Sequence, residues 1–205
     1  MAGPNVSIIY EHELSDQEIE DVYSSLGGEP LETGKIDFSN LRSTLALGGT
    51  IDGYLGGIVG GVGTVKNQHV EMYDDEIQEL QTAWGIEARS VIALACMSNG
   101  DTDHRVLGEL ALYFAKKFGG IIDFNGLITP PWDDVVPWYR GSNWFFYKAN
   151  WSDIRKKTMR YLEQIPGKIT AIEYEVNEQR RWAYHVCDVE FMENWLKHPH
   201  FHMIK

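Results

Sequence analysis

Cysteine is scarce in this chain: there are two in 205 residues, Cys96 and Cys187, each inside an apolar run. A disulfide-framed secreted scaffold is thereby excluded, and two reduced core thiols are expected. Basic side chains are scarce in one half only. Residues 1–103 hold 4 Lys and Arg against 18 Asp and Glu, whereas residues 104–205 hold 14 against 12. No apolar stretch is long and clean enough for a membrane span, because the most apolar segment, 45–65, is broken by paired glycines, Asp52 and Tyr54. The opening residues, MAGPNV, have neither a basic n-region nor an apolar h-region, so no signal peptide and a cytoplasmic location are expected. There is no G-x-S-x-G nucleophile elbow, and the glycine-rich run Gly56 to Gly61 lacks the Lys-Ser/Thr of a phosphate-binding loop. Internal repeats, low-complexity tracts and a clear linker are also missing, which predicts one domain over residues 1–205.

What remains is a hydrophobic fraction of 43%, enough for a substantial core, and a net charge of −12 concentrated in the first half, which carries −14. A field of that sign attracts cationic partners and repels nucleic acid and anionic membrane. The pattern of elements predicts an α+β fold, a mixed or antiparallel sheet with helices packed on it. Val6 to Tyr10 reads as the first strand. Ser15 with Glu18 has capping-box spacing and opens a helix over 16–26, with Ile19, Val22, Tyr23 and Leu26 on one face. Lys35 to Leu41 reads as a strand, 45–65 as twisted glycine-laced strands, and 74–84 as a helix with Asp74, Asp75 and Glu76 in its first turn. Ser90 to Met97 is a buried strand, Asp103 to Phe118 the strongest helix, and Ile121 to Phe124 the next strand. Ser152 to Gln164 reads as a basic helix, 168–176 and 181–186 as a hairpin, and 188–197 as a short helix. The tail HPHFHMIK reads as an edge strand.

Chemistry-bearing groups are few. Asp101, Asp103 and His104, with Glu109 downstream, have the residue types of a Zn²⁺ or Mn²⁺ site, but a helix start is where an aspartate N-cap belongs. His198, His200 and His202 alternate, so on a strand they share one face. Cys96 and His104 could pair only across a loop, and the apolar flank of Cys96 favours an inert thiol. The exposed-anchor candidates are the acidic helix residues Asp74, Asp75, Glu76 and Glu79, and the aromatic–acidic segment Trp132, Asp133, Asp134, Trp138 and Tyr139. Trp, Tyr and Arg are the residue types that most often anchor protein interfaces.

The runs DHRVLGELALYFAKKFGGIIDFNG (Asp103 to Gly126) and WLKHPHFHMIK (Trp195 to Lys205) resemble an uncharacterised bacterial family. That family pairs a DHR-x-LGEL helix with a GG-x-x-DF strand and closes on a WL-x-HP-x-F tail. The resemblance is best in the second half and weak before about residue 70. Its setting is similar to that of immunity proteins in polymorphic or type VI toxin systems. It implies a non-enzymatic antitoxin, needing no cofactor, that occludes the active site of a cognate basic toxin. The alternative is a metal-dependent hydrolase, or an enzyme that reverses a toxin's modification, built on Asp101, Asp103 and His104.

Overall fold

The computed structural model describes residues 3–26, 29–30, 35–37, 58–64, 72–129, 151–177 and 180–204. Its frame is an eight-stranded sheet in which every pairing is antiparallel. The strands are β1 (Asn5–Tyr10), β2 (Glu29–Pro30), β3 (Lys35–Asp37), β4 (Ile58–Thr64), β5 (Ser90–Cys96), β6 (Ile121–Asp123), β7 (Ile169–Asn177) and β8 (Arg180–Cys187), in the order β2-β3-β4-β5-β1-β6-β8-β7. The helices are α1 (Asp16–Leu26), α2 (Asp74–Trp84), α3 (Asp101–Phe118), α4 (Trp151–Leu162) and α5 (Val189–Trp195).

The sequence order, a strand over 90–97, a helix over 103–118 and a strand over 121–124, predicts that β5 and β6 flank α3. They do, but they are not neighbours: β1 lies between them, antiparallel to both. Burying the chain's first strand at the centre explains why β1 is so apolar, with Val6, Ile8, Ile9 and Tyr10 all enclosed.

Alternation along the strands divides the interior in two. One face carries Val6, Ile8, Tyr10, Ile92, Leu94, Cys96, Ile122 and Cys187, and receives Val22 of α1, the apolar stripe of α3, Leu162 of α4 and Phe191, Met192 and Trp195 of α5. The opposite face carries Ile9, Val91, Ile121, Ile172, Tyr184 and Val186, and receives Leu80 of α2. Neither cysteine is in a disulfide, and both are buried among their apolar flanks.

Helix ends follow local chemistry. Ser15 and Glu18 form the expected capping box: the Ser15 N–H donates to Glu18 Oε2 (2.8 Å) and the Glu18 N–H to Ser15 Oγ (3.3 Å). The α2 bounds agree with the helical spacing of Ile77, Leu80 and Trp84, and Gly85 closes it at φ 70°, donating to the Gln81 carbonyl. α3 starts two residues before the expected Asp103. Its N-cap is Gly100, not Asp101 or Asp103. Asp103, in the third helical position, reaches back to accept the Gly100 N–H at 2.6 Å.

The tail departs from expectation. Residues 196–204 form turns and irregular backbone, not an edge strand. Pro199 interrupts any ladder, and the rings of His198 and His202 pack on Trp195 at centroid distances of 5.1 and 5.6 Å. The tail then runs to the start of β1, where the Asn5 N–H donates to the Ile204 carbonyl at 3.0 Å.

Candidate functional site

The residues proposed for metal chemistry are committed elsewhere. Asp103 is buried and accepts hydrogen bonds from Ser98 Oγ (2.9 Å) and the Gly100 N–H. Asp101 points to solvent from the first turn. His104 Nδ1 accepts the Met203 N–H at 2.9 Å, which holds the tail; burial and the neighbouring His202 lower its pKa, so the neutral ring is favoured. Glu109 pairs with Arg105 at 2.5 Å, and the same arginine donates to the Leu196 carbonyl. Among the described residues, no group of three or more His, Cys, Asp or Glu side chains is arranged to hold a metal ion. His198, His200 and His202 do not share a strand face; they belong to a tail in which the His200 N–H donates to His198 Nδ1.

The acidic face of α2 is narrower than its sequence suggests. Asp74 and Glu79 are exposed, but Asp75 and Glu76 turn toward the sheet. Asp75 Oδ2 accepts the Glu175 N–H of β7 at 2.6 Å. Glu76, 7% exposed, accepts from Tyr184 Oη (2.7 Å) and from the Tyr73 N–H (3.1 Å). Trp132, Asp133, Asp134, Trp138 and Tyr139 lie outside the described residues.

Beside Glu76 the sheet contributes a second enclosed carboxyl. Asp123 of β6 is 7% exposed and accepts the Asn125 N–H at 2.6 Å, Asn125 itself taking a left-handed φ of 53°. Burial pushes Asp123 well above the usual carboxylate range, and the nearby Glu76 adds to the shift. Glu76 is also raised, chiefly by burial, against the opposing pull of its Tyr184 and Tyr73 donors. Both therefore bind protons in the fold over a pH interval where the unfolded chain has lost them. Stability conferred by these groups is present at low pH and declines as pH rises above the ordinary carboxylate pKa. Asp123→Asn keeps an acceptor for the Asn125 N–H and removes one of these protons. It is expected to raise the melting temperature at pH 8 relative to the unaltered protein, by about 2–4 °C for each kcal/mol released, and to leave pH 4 unchanged. Parallel melting-versus-pH curves for the two proteins would contradict this.

Around these acids lie rings that the sequence reading passed over. Tyr73, just before α2, stacks on Tyr174 of β7 at 5.2 Å and 28° between planes, and Tyr174 meets Tyr184 edge-on at 5.9 Å. Tyr174 is paired with Trp182 across β7–β8, so their side chains share a face. Tyr73 and Trp182 are 43% and 42% exposed. The signal was the hairpin's own alternation: Ile172, Tyr174 and Trp182, Tyr184, Val186 occupy one face of their strands.

A second acidic feature lies at the junctions β1–α1 and α2–β5. Glu11, His12, Glu13, Glu87 and Arg89 line an open cavity of about 500 Å³. Arg89 is paired with Glu87 at 3.2 Å and His12 with Glu18 at 3.6 Å. Asp16 and Glu20 are exposed on the adjoining helix. In the cavity lining three carboxylates, Glu11, Glu13 and Glu87, thus face one arginine, Arg89.

A family of unknown function, DUF6368, has a sequence profile that matches residues 2–205. The chain belongs to this family. The match runs through the first seventy residues, where the resemblance of the motifs alone is weak. No curated protein and no solved structure matches the chain. No described helix of this family member is long and apolar enough to cross a membrane.

Proposed function

We propose that this protein is an immunity-type binding protein that neutralises a basic toxin by covering its active site. The observation that carries the reading is the open cavity at one end of the sheet lined by Glu11, Glu13 and Glu87 against Arg89, with His12 beside them and Asp16 and Glu20 exposed on the helix that follows β1. Toxins that act on nucleic acids or nucleotides present cationic clefts, and a surface of clustered carboxylates competes with the phosphates such clefts hold. Complementary potentials accelerate encounter and fix register, while buried anchors set the lifetime of the complex. The hydrolase alternative gains little from its chosen residues, since Asp103 accepts the Gly100 N–H at the start of α3, His104 holds the tail and Asp101 is exposed.

The test is co-expression with a basic toxin domain encoded beside this chain's gene. Growth is expected to recover only when the two proteins are present in about equal amounts, and a stable one-to-one complex should be recovered from the rescued cells. Rescue by a small substoichiometric amount would indicate turnover and contradict occlusion. So would rescue without a complex.

A further inference from the structure

We propose that the face made by Tyr73, Tyr174 and Trp182, bordered by Asp74 and Asp75, receives an arginine side chain of the basic partner. The inference rests on the basic-partner reading and gives it an anchor.

Three features of this face meet the needs of a guanidinium group. The first is exposed aromatic surface. Tyr73 and Trp182 are two of three large apolar or aromatic side chains exposed among the described residues; Tyr73 stacks on Tyr174, and Trp182 is the cross-strand partner of Tyr174 on the same face. Ring faces attract cations, and a planar guanidinium can stack on them as well. The second is negative charge with spare acceptor capacity. Asp74 is exposed at the rim. Asp75 uses one lone pair of each oxygen on the backbone N–H groups of Glu76 and Glu175, out of the four that a carboxylate offers. Among the described residues neither Asp74 nor Asp75 is engaged in an ion pair. The third is rigidity. The Tyr73 backbone is held by its N–H bond to Glu76 and its ring stacks on Tyr174, which also meets Tyr184, whose hydroxyl donates to the same carboxylate. Rings so placed bind with little ordering cost.

The acidic end around Glu11 and Glu87 has carboxylates without such a platform. Its contribution is long-range attraction, which does not distinguish arginine from lysine. The aromatic face should distinguish them, because an ammonium is a compact, strongly hydrated charge that cannot stack.

The experiment uses the full chain and two fluorescent synthetic peptides, one alternating arginine with glycine and one alternating lysine with glycine. Anisotropy titrations should show the arginine peptide binding several-fold more tightly. Trp182→Ala and Tyr73→Ala should each weaken the arginine peptide roughly tenfold and erase the preference, whereas Trp182→Tyr should restore most of it. A Glu11→Gln/Glu13→Gln/Glu87→Gln variant should weaken both peptides alike and keep the preference. If the aromatic variants bind the arginine peptide as the unaltered protein does, while the triple variant loses affinity for both, the arginine anchor is overturned and the basic-partner reading stands. If the unaltered protein binds neither peptide, the reading falls and the anchor with it.

Discussion

Trp195→Ala is expected to destabilise the protein by about 3–5 kcal/mol, the range found when a large ring is deleted from an enclosed site. Trp195 is fully buried. Its ring stacks on Phe191 of α5 at 6.3 Å and on His198 at 5.1 Å, and meets Phe201 and His202 edge-on. Its Nε1–H donates to the His202 carbonyl at 3.1 Å, so the indole joins the helix to the tail that follows it. Truncation therefore removes four ring contacts and leaves a partly buried carbonyl without its donor. A typical domain is stable by roughly 5–15 kcal/mol, so the variant would retain only a fraction of its margin. At about 2–4 °C per kcal/mol, the melting temperature should fall by roughly 6–20 °C. Trp195→Phe keeps much of the packing and loses the donor, and should cost less than half as much. A loss below about 1 kcal/mol for the alanine variant would show that the tail does not depend on this ring.

The tail matters because it is tied to the rest of the fold at several points. Met203 donates to His104 on α3, Ile204 accepts from Asn5 on the central strand, and Phe201 sits where Gly108 leaves no room for a Cβ. A side chain at residue 108 would lie 2.7 Å from the Phe201 ring. The run DHRVLGEL is thus explained in part by packing: Asp103 binds the Gly100 N–H in the first turn, His104 and Arg105 hold backbone groups of the tail segment, and Gly108 makes space for it.

Much of this frame was legible from residue patterns, since the signals were local. Ser15 and Glu18 are three apart and cap each other. Ile77, Leu80 and Trp84 recur at helical spacing, and Gly85 follows. The segments 168–176 and 181–186 alternate as hairpin strands do, and the strands run over Ile169–Asn177 and Arg180–Cys187. What could not be read depended on partners far along the chain. Glu76 looks like one more solvated carboxylate among Asp74, Asp75 and Glu79, but a tyrosine 108 positions away draws it inward. Asp123 sits in an apolar strand with no local sign that Glu76 will face it. The three alternating histidines suggested a strand, yet the indole of Trp195 offered two of them better contacts than a sheet edge could. The insertion of β1 between β5 and β6 is equally non-local, because nothing in a strand's own residues names its neighbours.

The charge asymmetry was plain in the composition, whereas its location in space was not. The α2 face contributes fewer exposed carboxylates than its sequence implies, and the end formed by Glu11, Glu13, Asp16, Glu20 and Glu87 contributes more. Attraction from this end should show itself in rates before it shows in affinity. Steering of this kind raises association rates by roughly 10–1000-fold at low ionic strength, and the gain disappears as the Debye length shrinks from about 30 Å at 10 mM salt to about 3 Å at 1 M.

The most direct measurement is the association rate, by stopped flow, between this protein and the basic toxin domain that it is proposed to neutralise, followed across that salt range. The rate should drop steeply with added salt while dissociation changes little, and the Glu11→Gln/Glu13→Gln/Glu87→Gln variant should flatten the dependence. An association rate indifferent to salt, or equally steep in the neutralised variant, would contradict the account.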